Sequence, residues 1–209
     1  MKKIFCLLAF TIFSLIATSS AFALLGEVRL NYGDTSGSPT KYNDAYFKLN
    51  DGPEIKQQTY TGVDAILMLP VVPLGFGLRY ESTSKSETQF NEQIDYAIKR
   101  TALLINYRII NSKFYLGPIV TYGLSQSLSF KIPLDPDEFK SSKSSSYSYG
   151  LEGGVKFGFL RVGVEAGATS LVFEDLKDKA GAVPNKNGIN ISDLDFGGNY
   201  YRLHIGLGF

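Results

Sequence analysis

The last nine residues of the chain, 201–209, read YRLHIGLGF. Every second side chain, from Tyr201 through Leu203, Ile205 and Leu207 to Phe209, is apolar or aromatic, and glycine, arginine or histidine lies between them. A repeat of two residues predicts a β-strand with one apolar face and one small or polar face. The strand ends on an aromatic residue at the carboxy terminus.

The same alternation recurs along the chain and predicts eight strands in all. The seven other segments are 26–32, 60–69, 74–81, 96–109, 114–132, 147–157 and 160–169. In the fifth segment all even positions from Phe114 to Ile132 are expected on one face. Pro118 interrupts that segment, and because proline lacks an N–H we expect a bulge or bend there.

The connections between these segments alternate in length. Three are short: Pro70–Pro73, Asn111–Lys113 and Gly158. Four are long and polar, at 33–59, 82–95, 133–146 and 174–197, and the serine run 141–146 is interpreted as a flexible loop. Short turns at one end and long loops at the other are typical of outer-membrane barrels, with both termini at the short-turn end.

The amino terminus is interpreted as an export signal. Lys2 and Lys3 precede the apolar run Ile4–Ala17, and Ala21-Phe22-Ala23 fits a signal peptidase site. We therefore expect a signal peptide at 1–23 and a barrel domain at 24–209. The domain then contains no cysteine, which excludes disulfides and thiol chemistry, and its near-neutral charge argues against nucleic-acid binding.

The polar face of the strands carries thirteen titratable side chains, seven basic, five acidic and one histidine. They are Glu27, Arg29, Asp64, Arg79, Glu81, Arg100, Arg108, Glu152, Lys156, Arg161, Glu165, Arg202 and His204. An eight-stranded barrel is about filled by its inward side chains, so these charges are expected to pair and plug the lumen. Pairs among Glu152, Lys156, Arg161 and Glu165 are expected on the sixth and seventh strands.

The apolar face is expected to meet lipid. Tyrosines near the long-loop ends and aromatics near the short-turn ends would form the two girdles of an outer-membrane barrel. A soluble lipocalin-like barrel would place the same face inside, and periodicity alone does not separate the two arrangements.

The whole exported chain, with its signal sequence, eight alternating strands and aromatic-terminated last strand, resembles the small OmpA/OmpX-type outer-membrane β-barrels of Gram-negative bacteria. The resemblance implies an all-β, eight-stranded antiparallel up-and-down transmembrane barrel in the outer membrane. It also implies that the strand from Tyr201 to Phe209 is the signal recognised by the barrel-assembly machinery. The chain departs from full-length OmpA proteins in having no peptidoglycan-binding domain after Phe209, so cell-wall anchoring is not implied.

The sequence leaves several functions open. We expect a structural or surface-interaction barrel, a monomer whose long loops contact partners, outer-membrane lipid or lipopolysaccharide. A narrow channel for ions or small solutes is the alternative. A lipid-modifying enzyme is less favoured, because the single histidine, His204, has no serine beside it and Ser148 has no evident base. We expect no catalytic residue, cofactor or metal ion.

Overall fold

Eight long antiparallel strands account for most of the described chain. The computed structural model describes residues 25–49, 53–70, 72–89, 92–132, 135–178, 180–186 and 188–209. The predicted signal peptide lies outside these residues. The barrel strands, numbered β1–β8, are Leu25–Thr35, Gln58–Met68, Leu74–Gln89, Glu92–Tyr107, Phe114–Ile132, Asp135–Phe157, Leu160–Lys177 and Gly198–Gly208.

The sheet closes on itself. Each strand pairs antiparallel with the next, and β8 pairs with β1, so that Gly208 lies opposite Glu27. The backbone of Gly26 and Phe209 completes this seam, with N–H···O distances of 2.8 and 2.9 Å. The predicted eight-stranded up-and-down barrel is confirmed.

The apolar face of the barrel is its outer face. Along β8, Leu203 is 61% exposed and its neighbour Arg202 is 3% exposed. The pattern repeats on β1, where Leu30 and Tyr32 point outward and Arg29 is fully buried. This arrangement is the opposite of a lipocalin, whose apolar face lines an internal cup. Among the described residues, no helix is both long and apolar enough to cross a membrane.

The barrel wall is uneven in height. β1, β2 and β8 have 11 residues each, whereas β3 to β7 have between 16 and 23. About 9–11 residues suffice for a tilted strand to cross a bilayer. Five consecutive strands therefore extend past the apolar belt at the long-loop end, and three stop near its edge.

Two connections fold into the space above the three short strands. The first, between β1 and β2, contains helix α1, Thr40–Ala45, and a 3-10 turn, Phe47–Leu49. The second, between β7 and β8, contains the two-residue strands Asn185–Lys186, Ile189–Asn190 and Leu194–Asp195. One more such strand, Ile110–Asn111, lies in the short turn after β4.

Two of the predicted long loops are strands instead. Most of 82–95 belongs to β3 and β4, and 135–146 belongs to β6. The serine run is part of β6, where Ser144 pairs with Phe173 and Ser146 with Leu171 of β7. The interpretation as a flexible loop was wrong, because the partner strand supplies the apolar half of each pair.

The irregularity predicted at Pro118 lies six residues further on. Pairing with β6 continues regularly through Pro118, which lies opposite Leu151. The register with β4 shifts instead between Gly123 and Ser125, so that Leu124 is the extra residue of a β-bulge. The bulge turns the later even positions inward, and the expectation that Phe114 to Ile132 share one face was therefore wrong.

Candidate functional site

The long-loop end of the barrel contains a buried apolar core, which we call the head. It is formed by the described residues of 36–57, 82–99, 125–146 and 170–197. Its buried side chains come from both folded connections and from β4 to β7: Tyr42, Ala45, Tyr46, Ile55, Ile94, Tyr96, Ile98, Leu128, Phe130, Phe139, Leu171, Phe173, Leu176, Ile191, Leu194 and Phe196.

Aromatic stacking fixes the first connection inside the head. Tyr42 of helix α1 stacks on Tyr46 with ring centroids 4.7 Å apart, and meets Phe130 of β5 edge-on at 5.3 Å. On the surface Lys41 bridges to Asp193 and so ties the two connections together. The hydrogen bond from Lys41 lowers the pKa of the Asp193 carboxyl below its usual value.

The inside of the barrel changes from polar to apolar within two residues of β4. Arg100 is the last inward charge, and Ile98 is the first inward residue of the head core. The outward face changes in the opposite sense, from Leu103 to Lys99, at the same height. The lower part of the barrel is thus apolar outside and charged inside, and the head has the reverse arrangement.

A closed ring of ion pairs fills the lower lumen. Glu27 accepts from Arg29 at 3.0 Å and from Arg108 at 2.7 Å, and Glu152 accepts from the same two guanidinium groups at 2.7 and 3.1 Å. Arg108 also lies over the ring of Tyr115, 4.5 Å from its centroid. All four charged side chains are nearly inaccessible, and the ring is electrically neutral.

A second network fills the lumen between this ring and the head. It runs as a chain in the order Asp64, Arg79, Glu165, Arg202, Glu81 and Arg100. Arg79 is bidentate to Asp64 at 2.8 and 2.9 Å, and bidentate to Glu165 at 2.9 and 2.7 Å. With three arginines and three carboxylates, this chain is neutral as well.

His204 lies in the lumen against an aromatic partner. Its Nε2 is 2.6 Å from the hydroxyl of Tyr115. Gly163 leaves the space that the pair occupies, because a Cβ there would overlap both the tyrosine hydroxyl and the imidazole.

Ser148 and His204 do not meet. The Ser148 hydroxyl lies 2.6 Å from that of Thr121, which also accepts from Arg100. A nucleophilic serine needs a base within hydrogen-bond reach, and the partner of this hydroxyl is a threonine instead. The described residues also contain no cluster of three or more potential metal ligands.

Lys156 and Arg161 approach each other as expected but do not form the expected ion pairs. They lie opposite each other at the short-turn mouth, across the turn that joins β6 to β7. Lys156 donates to the Asn111 side chain, and Arg161 to the carbonyls of Gly158 and Leu160. The expected pairs with Glu152 and Glu165 do not form, because those carboxylates lie deeper and are taken by Arg29, Arg108, Arg79 and Arg202.

The strand proposed as the assembly signal, Tyr201–Phe209, forms one side of the closing seam, and its aromatic side chains face outward. Tyr201 is exposed near the long-loop end of the belt, and Phe209 is exposed at the opposite end. The ring of Phe209 lies directly over Gly26, where a Cβ would overlap it. The aromatics expected in the two girdles are likewise exposed: Tyr32, Tyr80, Tyr122, Tyr149, Tyr107, Phe114 and Phe157.

Sequence reasoning did not identify the neutral residues that complete the networks. Tyr200 donates to Glu165 at 2.7 Å, and Ser146 accepts from Arg100 at 2.9 Å. The alternation places Tyr115 and Tyr200 on the inner face. Their parity, meaning whether they occupy odd or even positions of the strand, was the available signal.

Comparison with known proteins gives likeness of fold only. No family model matches the chain, and no curated protein matches it. Among solved structures, the attachment protein Ail of Yersinia pestis, in complex with sucrose octasulfate, is 12% identical and aligns over 89% of this chain and 99% of its own, with a TM-score of 0.49. Neisserial surface protein A is 11% identical over 89% and 97%, with a TM-score of 0.49. A major outer-membrane protein of Thermus thermophilus is 12% identical over 88% and 99%, with a TM-score of 0.48.

Proposed function

We propose that this protein is a monomeric outer-membrane barrel with a surface-interaction or structural role, and that its lumen does not conduct. The observation that carries the proposal is the double closure of the barrel. Two neutral ion-pair networks fill the lumen, and the packed head lies above them.

The outer surface of the lower barrel supports the membrane location. Its exposed side chains are large and apolar on every strand, and an apolar belt of this kind exceeds the patches that soluble monomers normally expose. A closed barrel also satisfies the backbone hydrogen bonds of its strands, which hydrocarbon requires. Export by a signal peptide at 1–23 belongs to the same proposal.

A conducting pore is the less favoured function. An ion crossing the lumen would have to separate arginine–carboxylate pairs that are bidentate and fully buried, and then pass the aromatic core of the head. Breaking one buried pair costs about 3–5 kcal/mol, so spontaneous opening is rare.

The head is the proposed contact surface. Its two connections are packed into an apolar core, so a partner would meet a preformed surface and little ordering entropy would be lost on binding. Above the aromatic girdle the outer wall carries hydroxyl and lysine side chains, such as Ser82, Lys99 and Ser127, which lie side by side. These groups suit the sugars and phosphates of lipopolysaccharide, and the exposed lysines of the connections suit an anionic partner.

The first test is conductance. The refolded protein, inserted in planar bilayers, is expected to show no stable single-channel steps. A large, stable conductance from the wild type would overturn the closed-lumen proposal and favour the channel.

The second test addresses the contact surface. The protein in lipid vesicles is presented to purified lipopolysaccharide and to an immobilised anionic polysaccharide. Changing Lys48, Lys56 and Lys143 to Glu should abolish binding, because these lysine side chains of the head are 68–74% exposed. The matched control is Lys113→Glu at the short-turn end, which should bind as the wild type does. Equal loss in both variants, or no binding by the wild type, would count against the head as a contact surface.

A further inference from the structure

A cavity of about 220 Å³ opens at the short-turn mouth of the barrel. Its charged and polar lining consists of Glu27, Arg108, Asn111, Lys156 and Arg161, and Phe209 closes one side. The cavity is therefore bounded by the lower ion-pair ring on one side and by the closing seam on the other.

The charge balance of the lumen leaves two cations at this cavity. Five arginines and five carboxylates neutralise one another in the two networks described above. Of the seven basic side chains that the alternation places on the inner face of the described strands, the two that remain are Lys156 and Arg161. Both are at the mouth, and the hydrogen-bond partners described for them are an amide oxygen and two backbone carbonyls.

The two cations also lie directly opposite each other. Lys156 and Arg161 form a cross-strand pair of β6 and β7, and like charges in that position destabilise a sheet. Even with the terminal carboxylate of Phe209 counted against them, the pair keeps an excess positive charge. An anion between the two side chains would convert the repulsion into two charge-assisted contacts.

We propose that this mouth cavity binds a phosphate-class anion, held between the Lys156 ammonium and the Arg161 guanidinium. Arginine presents a planar fork that matches two phosphate oxygens, and lysine adds a compact charge with rotatable donors. Glu27 does not oppose the anion, since both of its oxygens are engaged by Arg29 and Arg108. The anion is either free phosphate or the phosphate of a lipid headgroup at the barrel rim.

The test uses the full refolded barrel in an uncharged detergent. Sodium phosphate is titrated against sodium chloride at constant ionic strength, and the thermal unfolding midpoint and calorimetric binding are measured. The wild type should show a saturable rise in midpoint with phosphate and none with chloride. Lys156→Gln or Arg161→Gln should each weaken phosphate binding about tenfold, the effect of losing one charge-assisted hydrogen bond.

The chain supplies a matched control on the same two strands. Lys140 and Lys177 are also directly opposite each other, but both are exposed in the head. Lys140→Gln with Lys177→Gln should leave phosphate binding unchanged, and Lys156→Arg should retain it. An equal loss of phosphate binding in the Lys140→Gln, Lys177→Gln control would overturn the proposal.

Lipid vesicles distinguish the two sources of the anion. If phosphatidylglycerol in phosphatidylcholine vesicles raises the unfolding midpoint of the wild type but not of Lys156→Gln, the ligand is a headgroup. If phosphate binds in detergent and the anionic lipid has no such effect, the ligand is the free anion. Failure of both arms rejects the site.

Discussion

Removing the carboxylate of Glu165 should destabilise the barrel more than any change at an exposed ion pair. This carboxylate accepts four hydrogen bonds, two from Arg79, one from Arg202 and one from Tyr200, at 2.7–2.9 Å. Glu165→Ala leaves the three arginines of the second ion-pair network with only two carboxylates. One positive charge in a fully buried site then has no counter-charge. Loss of one partner from a buried pair costs about 3–5 kcal/mol, and that is the expected loss in the free energy of unfolding.

The measurement is equilibrium unfolding of the refolded barrel by urea in lipid vesicles. Because the chain has no tryptophan, far-ultraviolet circular dichroism and the shift between folded and unfolded gel bands report the transition. Glu165→Gln keeps the size and acceptor oxygen but removes the charge, and should give a smaller loss than Glu165→Ala. The control is Glu174→Ala, which breaks the exposed bridge to Lys143 and should cost no more than about 1 kcal/mol.

Equal losses for Glu165→Ala and Glu174→Ala would refute the reasoning. That outcome would mean that water reaches the second ion-pair network and solvates the guanidinium that has lost its carboxylate. The closed-lumen proposal would then lose its main support, and the conductance of the Glu165→Ala variant would show whether the bore opens.

Three further changes test other parts of the barrel. Deleting Phe209 should reduce membrane insertion in cells far more than Leu203→Ala does. Insertion is measured as the fraction of protein whose gel band shifts on boiling. Equal reductions would mean that the terminal ring is no assembly signal. Phe130→Ala should cost about 3–5 kcal/mol and expose helix α1 to protease, because the ring packs on that helix, whereas Leu203→Ala should leave helix α1 protected. Gly163→Ala should cost about 1–3 kcal/mol by displacing the pair behind it. Gly153→Ala should cost less, because a Cβ there would lie 3.3 Å from the end of the flexible Leu116 side chain and 3.6 Å from the nearest backbone atom.

The barrel and its two faces could be predicted because they depend on a local repeat. In a strand the side chains alternate without exception until a bulge intervenes, so parity alone places Arg29, Arg79 and Arg202 inside. The bulge at Leu124 could not be read in the same way. The even positions of 114–132 remain mainly apolar on both sides of the bulge, so the sequence alone indicates a single apolar face. The backbone, however, turns the even positions inward after the bulge.

The head could not be predicted because its core has no local repeat. Its side chains come from segments that are distant in sequence, and Ser144 and Ser146 are polar residues paired with Phe173 and Leu171 of the next strand. A run of serines resembles a loop in composition, and only the partner strand makes it part of a wall. The lengths of β3, β4, β6 and β7 were underestimated because they depend on such partnerships, whereas β5 has the predicted bounds.

Parity also could not specify which charges pair. It places a side chain in the lumen but gives neither its height nor its distance across the bore, and the Arg29–Glu152 contact joins residues 123 positions apart. Lys156 illustrates the consequence, since its parity is that of Glu152 although it lies at the mouth rather than in the network.

The choice between arginine and lysine follows the two environments of the barrel. Every ion pair of the described lumen uses arginine, and those on the described outer surface use lysine. A guanidinium is less strongly hydrated than an ammonium and engages two carboxylates at once, so it suits a narrow dry bore in which each charge must satisfy two neighbours. Lysine keeps its hydration at exposed sites, where a bridge contributes little to stability. Lys156 is the inward-facing lysine that breaks this division, and its position at an open, cation-rich cavity is what a ligand-binding role, rather than a structural pair, would require.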